Sequence, residues 1–327
     1  MAFNTAPLID RLDLTTLASG RHAFRFGALQ MATGQDWQIP VLVFKGARPG
    51  PRVVITAGTH GDELNGVLAA QQLGRELDAE ALSGTLVLLP GVNLPGMLER
   101  HRDFVPSDPD CSTANLNRLF PGKADGDSAQ RYLHRIWNGL LAGNADYALD
   151  LHTQTRGASY PLFVFADFRN PTALAMARWL GADCIQDDPG DPGVLETVWN
   201  QLGVPCVTLE VGSGSAMAPE LIQRAVSGIH RVLAQLKVGP AVPEVALPVP
   251  FEGNATATVR AQYGGLAIPQ VRLGEAVAEG DLVAVQYDPF GAERQRYHAP
   301  VAGRVLSLND DPLREPGSLL VRLLYRR

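Results

Sequence analysis

Apolar runs of strand length alternate with amphipathic helical segments from residue 36 to about residue 236. The strand-like runs include "PRVVITAG", "GTLVLLPGV", "DYALDLH" and "VPCVTLEVG". The helical segments lie at 62–76, 127–141, 171–181, 192–202 and 217–237. Such alternation is typical of a layered α/β fold, in which helices cover a sheet of buried strands. The sequence therefore predicts a central β-sheet flanked by helices.

The composition and periodicity of the sequence change after the last of these helical segments. Residues 239–253, "GPAVPEVALPVPFEG", contain four prolines, and no helical periodicity follows them. The remaining sequence consists of short alternating runs separated by turns such as "GG", "DPFG" and "APVAG", as in a small all-β domain. We therefore predict a main domain at 1–238, a Pro-rich linker at 239–253 and a small β-domain at 254–327.

Composition and charge exclude several classes of protein. The 327 residues include 28 Lys and Arg against 34 Asp and Glu, and the net charge of -6 comes with no long basic run. The electrostatic footprint of a nucleic-acid-binding protein is therefore missing. No apolar run reaches about eighteen residues, and the amino terminus has no signal-peptide pattern. We expect a cytoplasmic enzyme without a membrane or nucleic-acid partner.

The three cysteines are far apart and indicate neither a disulfide framework nor a CxxC zinc site. They are Cys111, Cys184 and Cys206, and the last two lie in apolar runs where a small buried side chain is usual.

The segment "GTHGDELNG", residues 58–66, places His60 and Glu63 three positions apart, directly after the apolar run "RVVITA". On a helical turn this spacing directs both side chains to one face. An imidazole nitrogen and a carboxylate oxygen both bind zinc, but a catalytic zinc requires a third protein ligand. Pairs with this spacing also arise by chance on exposed helices, so the motif alone does not establish a metal site.

His152 is the best candidate for the third ligand, because it closes the strand "ADYALDLHT" just as His60 follows an earlier strand. Asp150 faces the same side of that strand, where it can orient a ligand histidine or pair elsewhere as a buried acid. Glu210 ends the strand "VPCVTLEVG" before a Gly/Ser loop. It can serve as the base for a zinc-bound water, or it can be an exposed strand-end charge.

Asn117 and Arg118 lie in the irregular segment "ANLNRLFPG", residues 114–122. A guanidinium beside an amide can bind a carboxylate in two-pronged fashion, although surface arginines are common. Beside a zinc site, this pair indicates a substrate that carries a carboxylate next to the scissile amide.

Taken in order, "GTHGDE", "NLNRLFPG", "DLH" and "TLEVG" resemble the motifs of the succinylglutamate desuccinylase and aspartoacylase family, within the zinc carboxypeptidase superfamily. The resemblance spans nearly the whole chain. It implies a zinc-carboxypeptidase-like mixed central sheet flanked by helices, with a small barrel-sandwich-like β-domain near the active-site mouth. It also implies a zinc-dependent hydrolase that removes a short acyl group from an N-acyl amino acid.

The resemblance further implies a role for each motif residue. These roles are His60, Glu63 and His152 as ligands of one zinc ion, Glu210 as base and proton shuttle, and Asn117 with Arg118 as the carboxylate-binding pair.

Family members also use an arginine shortly before the Asn-Arg pair to polarise the scissile carbonyl. Here "LERHRDFVPSDPD" offers Arg100 and Arg102, and the stretch "RDFVPSD" favours Arg102. Some members place a tyrosine from the small β-domain in the site. Tyr263, Tyr287 and Tyr297 are the candidates for that position.

The alternatives to a deacylase are a carboxypeptidase, a carrier domain and an inactive binding module. A zinc carboxypeptidase acting on small peptides is the nearest alternative, and the β-domain argues against it by restricting access to the cleft. The turns of the carboxy-terminal segment also resemble a lipoyl or biotinyl carrier, but Lys45, Lys123 and Lys237 are the only lysines and all precede it. An inactive binding module is poorly motivated, since every expected catalytic position is filled. A homo-oligomer is possible, because soluble enzymes most often form dimers.

Overall fold

The computed structural model describes residues 3–214 and 216–327 of the chain. Up to residue 253, the strands are β1 (Leu8–Ile9), β2 (Gly20–Gln30), β3 (Asp36–Lys45), β4 (Arg48–Ala57), β5 (Ser83–Leu89), β6 (Tyr147–Gln154), β7 (Ala158–Ser159), β8 (Leu162–Ala166), β9 (Cys184–Asp187), β10 (Cys206–Ser213) and β11 (Phe251–Gly253). The α-helices are α1 (Leu64–Glu76), α2 (Leu94–Glu99), α3 (Ser128–Ile136), α4 (Pro171–Trp179), α5 (Leu195–Gln201) and α6 (Pro219–Gln235).

Ten strands form a central mixed sheet in the order β1-β2-β3-β5-β4-β6-β10-β8-β9-β11. At its centre, β4, β6 and β10 are neighbours and run parallel, whereas β8 pairs with β10 in the antiparallel sense. Every residue of β10 is buried, as expected for a strand covered by helices on both faces. This architecture confirms the predicted mixed α/β fold.

The two faces of the sheet bury two separate apolar cores. Along β10, Val207, Leu209 and Val211 belong to the core that also contains side chains of α1, α4 and α6. Cys206 belongs to the core on the other face, with side chains of α3 and α5. Because side chains alternate along a strand, Glu210 faces the α5 side of the sheet.

The segment after residue 253 is entirely β-structured. Its strands are β12 (Ala255–Arg260), β13 (Gly265–Pro269), β14 (Ala276–Val277), β15 (Leu282–Tyr287), β16 (Glu293–His298), β17 (Gly303–Asn309), β18 (Leu313–Arg314) and β19 (Leu319–Tyr325). They form sheets in the orders β12-β19-β17-β14 and β16-β15-β13-β18. The small β7 pairs with β17, and Gln154 Nε2 donates to Ser307 Oγ at 3.0 Å. These contacts hold the carboxy-terminal sheets against the end of β6.

The structure differs from the sequence expectation at several element boundaries. The sheet begins before residue 36, because β2 adds a strand whose His, Arg and Gln side chains obscure its apolar pattern. The first helix begins at Leu64 rather than at residue 62. Residues 240–250 contain neither helix nor strand, and Phe251–Gly253 pair with β9 at the sheet edge. Among the described residues, no helix is long and apolar enough to cross a membrane.

Candidate active site

The carboxyl-terminal edge of the central sheet brings together His60, Glu63 and His152. The turn between β4 and α1 carries the first two, and it is closed by the Glu63 N–H donating to the His60 carbonyl at 3.3 Å. His152 lies near the end of β6, beside Glu210 of β10. One ligand atom from each of the three lies within 4.8 Å of the others, and all three side chains are buried. The strand ends therefore deliver both imidazoles to one place, as predicted.

A close backbone approach holds this turn in position. A Cβ atom on Gly61 would lie 2.1 Å from the carbonyl carbon of Gly96 in α2, and the Gly61 N–H donates to the Arg102 carbonyl at 3.0 Å. Only glycine fits at that distance. The glycine between the histidine and the glutamate thus places the turn against the segment that carries Arg102.

Each imidazole is oriented through its outer nitrogen. His152 Nε2 lies 2.7 Å from Asp150 Oδ2, and His60 Nε2 lies 3.0 Å from Asn115 Oδ1. Both partners are acceptors, so each Nε2 can donate its proton to them, and each Nδ1 can then offer its lone pair to a metal ion. The two Nδ1 atoms are 3.1 Å apart, and they lie 3.0 and 2.9 Å from the Glu63 carboxylate oxygens.

This donor set fits a divalent metal ion such as zinc. Two imidazole nitrogens and a carboxylate oxygen form a three-ligand set that leaves a coordination position open, and outer acceptors on histidine ligands are the usual arrangement. Burial opposes ionisation of Glu63, but the two imidazoles hold its pKa well below the usual value. Burial likewise lowers the pKa of His152, but Asp150 and Glu63 outweigh it and raise that pKa well above normal. The centre therefore stabilises positive charge.

Glu210 faces the same centre with an unsatisfied oxygen. Its side chain is 8% exposed, and Oε2 is buried without a hydrogen-bond partner among the described residues. Burial, followed by the negative charge of Glu63, raises the pKa of Glu210 to about 8. A carboxyl group with a pKa near neutrality can both accept and return a proton.

The structure distinguishes between the two candidate arginines. Arg102 lines the cavity at this centre, and its Nη1 donates to Glu63 Oε1. Arg100 follows α2 in a left-handed conformation with φ 51°, is exposed, and is not among the cavity-lining residues. Of these two candidates, Arg102 is therefore the one within reach of a ligand at the centre.

Asn117 and Arg118 lie in a short 3-10 turn (Leu116–Arg118) and both line the cavity. Asn117 is buried, and its Oδ1 accepts from the N–H of Leu195 at 2.9 Å, which ties the turn to the start of α5. Arg118 is exposed at the mouth, where its Nη1 donates to the Asn117 carbonyl at 2.7 Å. The pair is placed for binding a group that enters from solvent.

The cavity has a volume of about 410 Å³ and suits a small molecule. Arg322 of β19 lines it, so the carboxy-terminal sheets contribute directly to the site. None of Tyr263, Tyr287 and Tyr297 is among the lining residues. Tyr160 lines the cavity instead, with its hydroxyl 3.2 Å from Arg322 Nη1.

Comparison with known proteins places the chain in a family. The family model for the succinylglutamate desuccinylase/aspartoacylase catalytic domain matches residues 49–236. The chain belongs to this family of hydrolases. It is thus a hydrolase related to enzymes that act on N-acyl amino acids, as the order of its motifs predicted.

Particular members of the family show how far the similarity extends. The chain is 30% identical over 264 residues to the N-alpha-acetyl-L-2,4-diaminobutyric acid deacetylase of Halomonas elongata, covering 76% of this chain and 74% of that protein. A succinylglutamate desuccinylase of Burkholderia orbicola is 30% identical over 141 residues, 39% of each chain. The product-bound structure of an ectoine utilization protein from Ruegeria pomeroyi has a TM-score of 0.82 at 24% identity, covering 94% of this chain and 96% of that one. This structural likeness supports the family fold.

Several residues of the site were not predicted from the sequence. Asn115 belongs to a motif that was singled out, and its position two residues before Asn117 could have suggested a role. Glu196 and Arg322 line the cavity from a helix and a strand that carry no recognisable motif. Tyr160 lies just before β8 and belongs to no functional motif. Its position before β8 depends on the antiparallel pairing with β10, which no local pattern signals.

Proposed function

We propose that the protein is a zinc-dependent amidohydrolase that removes a short acyl group from an N-acyl amino acid. The observation that carries this proposal is the convergence of His60, Glu63 and His152 beside an unsatisfied oxygen of Glu210 in one small cavity. Family membership supports the same reaction class.

His60, Glu63 and His152 would hold one zinc ion through the two Nδ1 atoms and the carboxylate. When bound, zinc supplies a Lewis acid that polarises the amide carbonyl and lowers the pKa of a water. Asp150 and Asn115 keep the imidazole rings oriented by accepting their outer N–H groups. The chain itself provides the groups that move protons and stabilise charge.

Glu210 acts as the base and then as the acid. Its free oxygen accepts a proton from the attacking water, and the resulting carboxylic acid donates that proton to the amine nitrogen as the amide bond breaks. The raised pKa of Glu210 makes the second transfer favourable at neutral pH, because its protonated form is accessible there.

Arg102 stabilises the negative charge that develops on the carbonyl oxygen, since a guanidinium preorganised beside the centre needs no rearrangement during the reaction. Arg118, with Asn117, binds the carboxylate of the amino acid at the cavity mouth. This carboxylate contact aligns the scissile amide with Glu210.

We also propose that residues 254–327 act as a small domain that limits substrate size. Arg322 reaches the cavity from β19, and the pairing of β7 with β17 fixes that position. A volume of about 410 Å³ suits an N-acyl amino acid better than a polypeptide. The named activities of the relatives from Halomonas elongata and Burkholderia orbicola make acetyl and succinyl compounds the first substrates to test.

The test is amine release by zinc-loaded protein from a panel of N-acetyl, N-succinyl and N-formyl amino acids, with dipeptides and tripeptides in the same plate. We expect hydrolysis of acyl amino acids, loss of activity after chelation, and recovery when zinc is added back. Hydrolysis mainly of the peptides would assign the protein as a carboxypeptidase. Full activity after complete removal of the metal would exclude the zinc mechanism.

A further inference from the structure

The catalytic cavity extends away from Glu210 along the face of the sheet that lies under α5. Thr208 precedes Glu210 by two residues on β10 and faces the same side, about 6.6 Å away at the usual rise of a strand. Phe165 of β8 is the partner of Thr208, and Gln186 of β9 is the partner of Phe165. All of these side chains line the cavity. The register therefore defines a side pocket that begins at the catalytic base.

Glu196 lines this cavity and, with Asp188, also lines a smaller cavity beside it. It lies in the first turn of α5 and is 5% exposed. Its Oε2 accepts a hydrogen bond from Thr208 Oγ1 at 2.6 Å. It forms no salt bridge among the described residues, and the charges that act on it most, after burial, are those of Asp188, Asp150 and Asp167. A buried carboxyl group thus faces the pocket, and the Thr208 hydroxyl is its one hydrogen-bond partner among the residues described.

A cationic ligand would stabilise the ionised form of Glu196. A buried carboxylate without a counter-charge is strongly disfavoured, and burial raises the pKa of Glu196 well above its usual value, so the group favours its neutral form until such a ligand binds. A second acid, Asp188, lines the same cavity. Independently, the buried Oε2 of Glu210 has no hydrogen-bond partner within residues 3–214 and 216–327, which indicates that this cavity receives a polar ligand. Positive charge on that ligand would compensate both acids.

We propose that Glu196, assisted by Asp188, binds a side-chain ammonium group, so that the substrate is an N-acyl α-amino acid with a cationic side chain. This inference rests on the proposed function, because it concerns the substrate of the same reaction. With the scissile amide at Glu210, a side chain of about two to four methylenes spans the distance of two strand residues to Glu196. Arg118 lies near enough for its charge to act on Asp188, so a carboxylate and an ammonium can bind side by side.

The simpler explanation is that Glu196 is structural. A carboxylate in the first turn of a helix interacts favourably with the helix dipole, and the Thr208 hydroxyl adds a hydrogen bond. That role requires no ligand and predicts the same effect of substitution on every substrate. A substrate-dependent effect separates the two explanations.

The experiment compares kcat/KM for N-acetyl derivatives of L-2,4-diaminobutyrate, ornithine and lysine with those of norvaline and glutamate. Norvaline has the carbon chain of ornithine without the amine. We expect the wild-type protein to prefer a cationic substrate over the norvaline compound by on the order of a hundredfold. Glu196→Gln should remove most of that preference, chiefly through KM, and leave the norvaline value within about threefold. Glu220→Gln, an exposed change in α6, should alter neither.

A second variant and a binding measurement test the same subsite independently of Glu196→Gln turnover. Asp188→Asn should reduce the same preference by about tenfold, and it provides a second variant if Glu196→Gln folds poorly. Product binding gives a readout besides turnover: free diaminobutyrate or ornithine should raise the Tm of the wild-type protein more than norvaline does, and this difference should vanish in Glu196→Gln.

The outcomes separate this inference from the proposed function. An equal loss on all substrates in Glu196→Gln would show a structural role and overturn the inference. A wild-type preference for neutral or anionic side chains would also overturn it, while the deacylase proposal stands. Failure to hydrolyse any N-acyl amino acid would overturn the proposed function itself.

Discussion

Two cavities lie at opposite ends of the central sheet, and the larger one lacks the catalytic constellation. The cavity at the amino-terminal ends of β4 and β5 has a volume of about 830 Å³, and Lys45, Arg48 and Arg52 are among its lining residues. The cavity at the carboxyl-terminal ends of β4, β6 and β10 measures about 410 Å³. Volume alone would point to the wrong end of the molecule.

The two cavities differ in how their polar groups are satisfied. At the larger one, Arg52 pairs with Asp146 at 2.6 Å, and Lys45 Nζ donates to the carbonyls of Leu14 and Leu17. At the smaller one, a buried oxygen of Glu210 has no hydrogen-bond partner in the part of the chain that the structure describes. Native proteins rarely leave such a group unpaired without a function. Asn309 and Arg314 also have buried unpaired atoms outside this cavity, so the Glu210 oxygen marks the chemistry because it lies in the same cavity as His60, Glu63 and His152.

The largest expected effect is that of Glu210→Gln. The amide retains the shape of the side chain but cannot accept the proton, so kcat should fall by about a hundred- to ten-thousand-fold. Zinc content, measured by atomic absorption, should remain at the wild-type level, because Glu210 is not a ligand in the proposed centre. Near-normal turnover in this variant would show that the unpaired oxygen of Glu210 does not identify the smaller cavity as the catalytic one.

Arg102→Met is expected to have the next largest effect. Loss of one donor to a developing oxyanion typically lowers kcat by about a hundred- to a thousandfold. Arg100→Met is the matched control, since Arg100 is exposed and lies outside the cavity. Its kcat should equal that of the wild type. Equal losses in both variants, or a loss of zinc in Arg102→Met, would contradict a direct role in turnover.

Asp150→Asn tests whether Asp150 supports metal binding at the smaller cavity. The carboxylate accepts from His152 Nε2 at 2.7 Å and from the Thr56 hydroxyl at 2.6 Å. A neutral amide makes the imidazole a weaker ligand, so zinc affinity should fall by about ten- to a hundredfold in a competition with a chelator. Asp146→Asn, just before β6 at the opposite end, is the control and should bind zinc like the wild type. Unchanged affinity in Asp150→Asn would exclude the orienting role.

The centre could be predicted from the sequence because its residues end buried strands. His152 and Glu210 each follow an apolar run, and parallel neighbours in a sheet present their ends at one edge. The conformation of the turn that carries His60 and Glu63 was not predicted correctly. His60 and Glu63 lie before the first helical residue, whereas their spacing had been attributed to a helical turn.

The remainder of the cavity could not be predicted, because it depends on packing between distant segments. Glu196 reaches the pocket only because α5 covers β10, where Thr208 meets it. Arg322 reaches it only because β17 and its neighbour β19 pack beside β7. Neither contact leaves a periodic or motif signal in its own segment. Local patterns thus specify strand ends, whereas the other walls of the cavity depend on long-range contacts.

The smallest expected effect belongs to the larger cavity. Arg52→Met removes a salt bridge whose side chains are 40% and 42% exposed, and solvent screens such pairs. The free energy of unfolding should therefore fall by no more than about 1 kcal/mol, as measured by urea denaturation. Because this cavity lacks the proposed catalytic residues, kcat/KM should stay at the wild-type value. A tenfold loss of activity with normal zinc content would show that the larger cavity takes part in function. The unpaired Glu210 oxygen would then no longer distinguish the functional cavity from the other one.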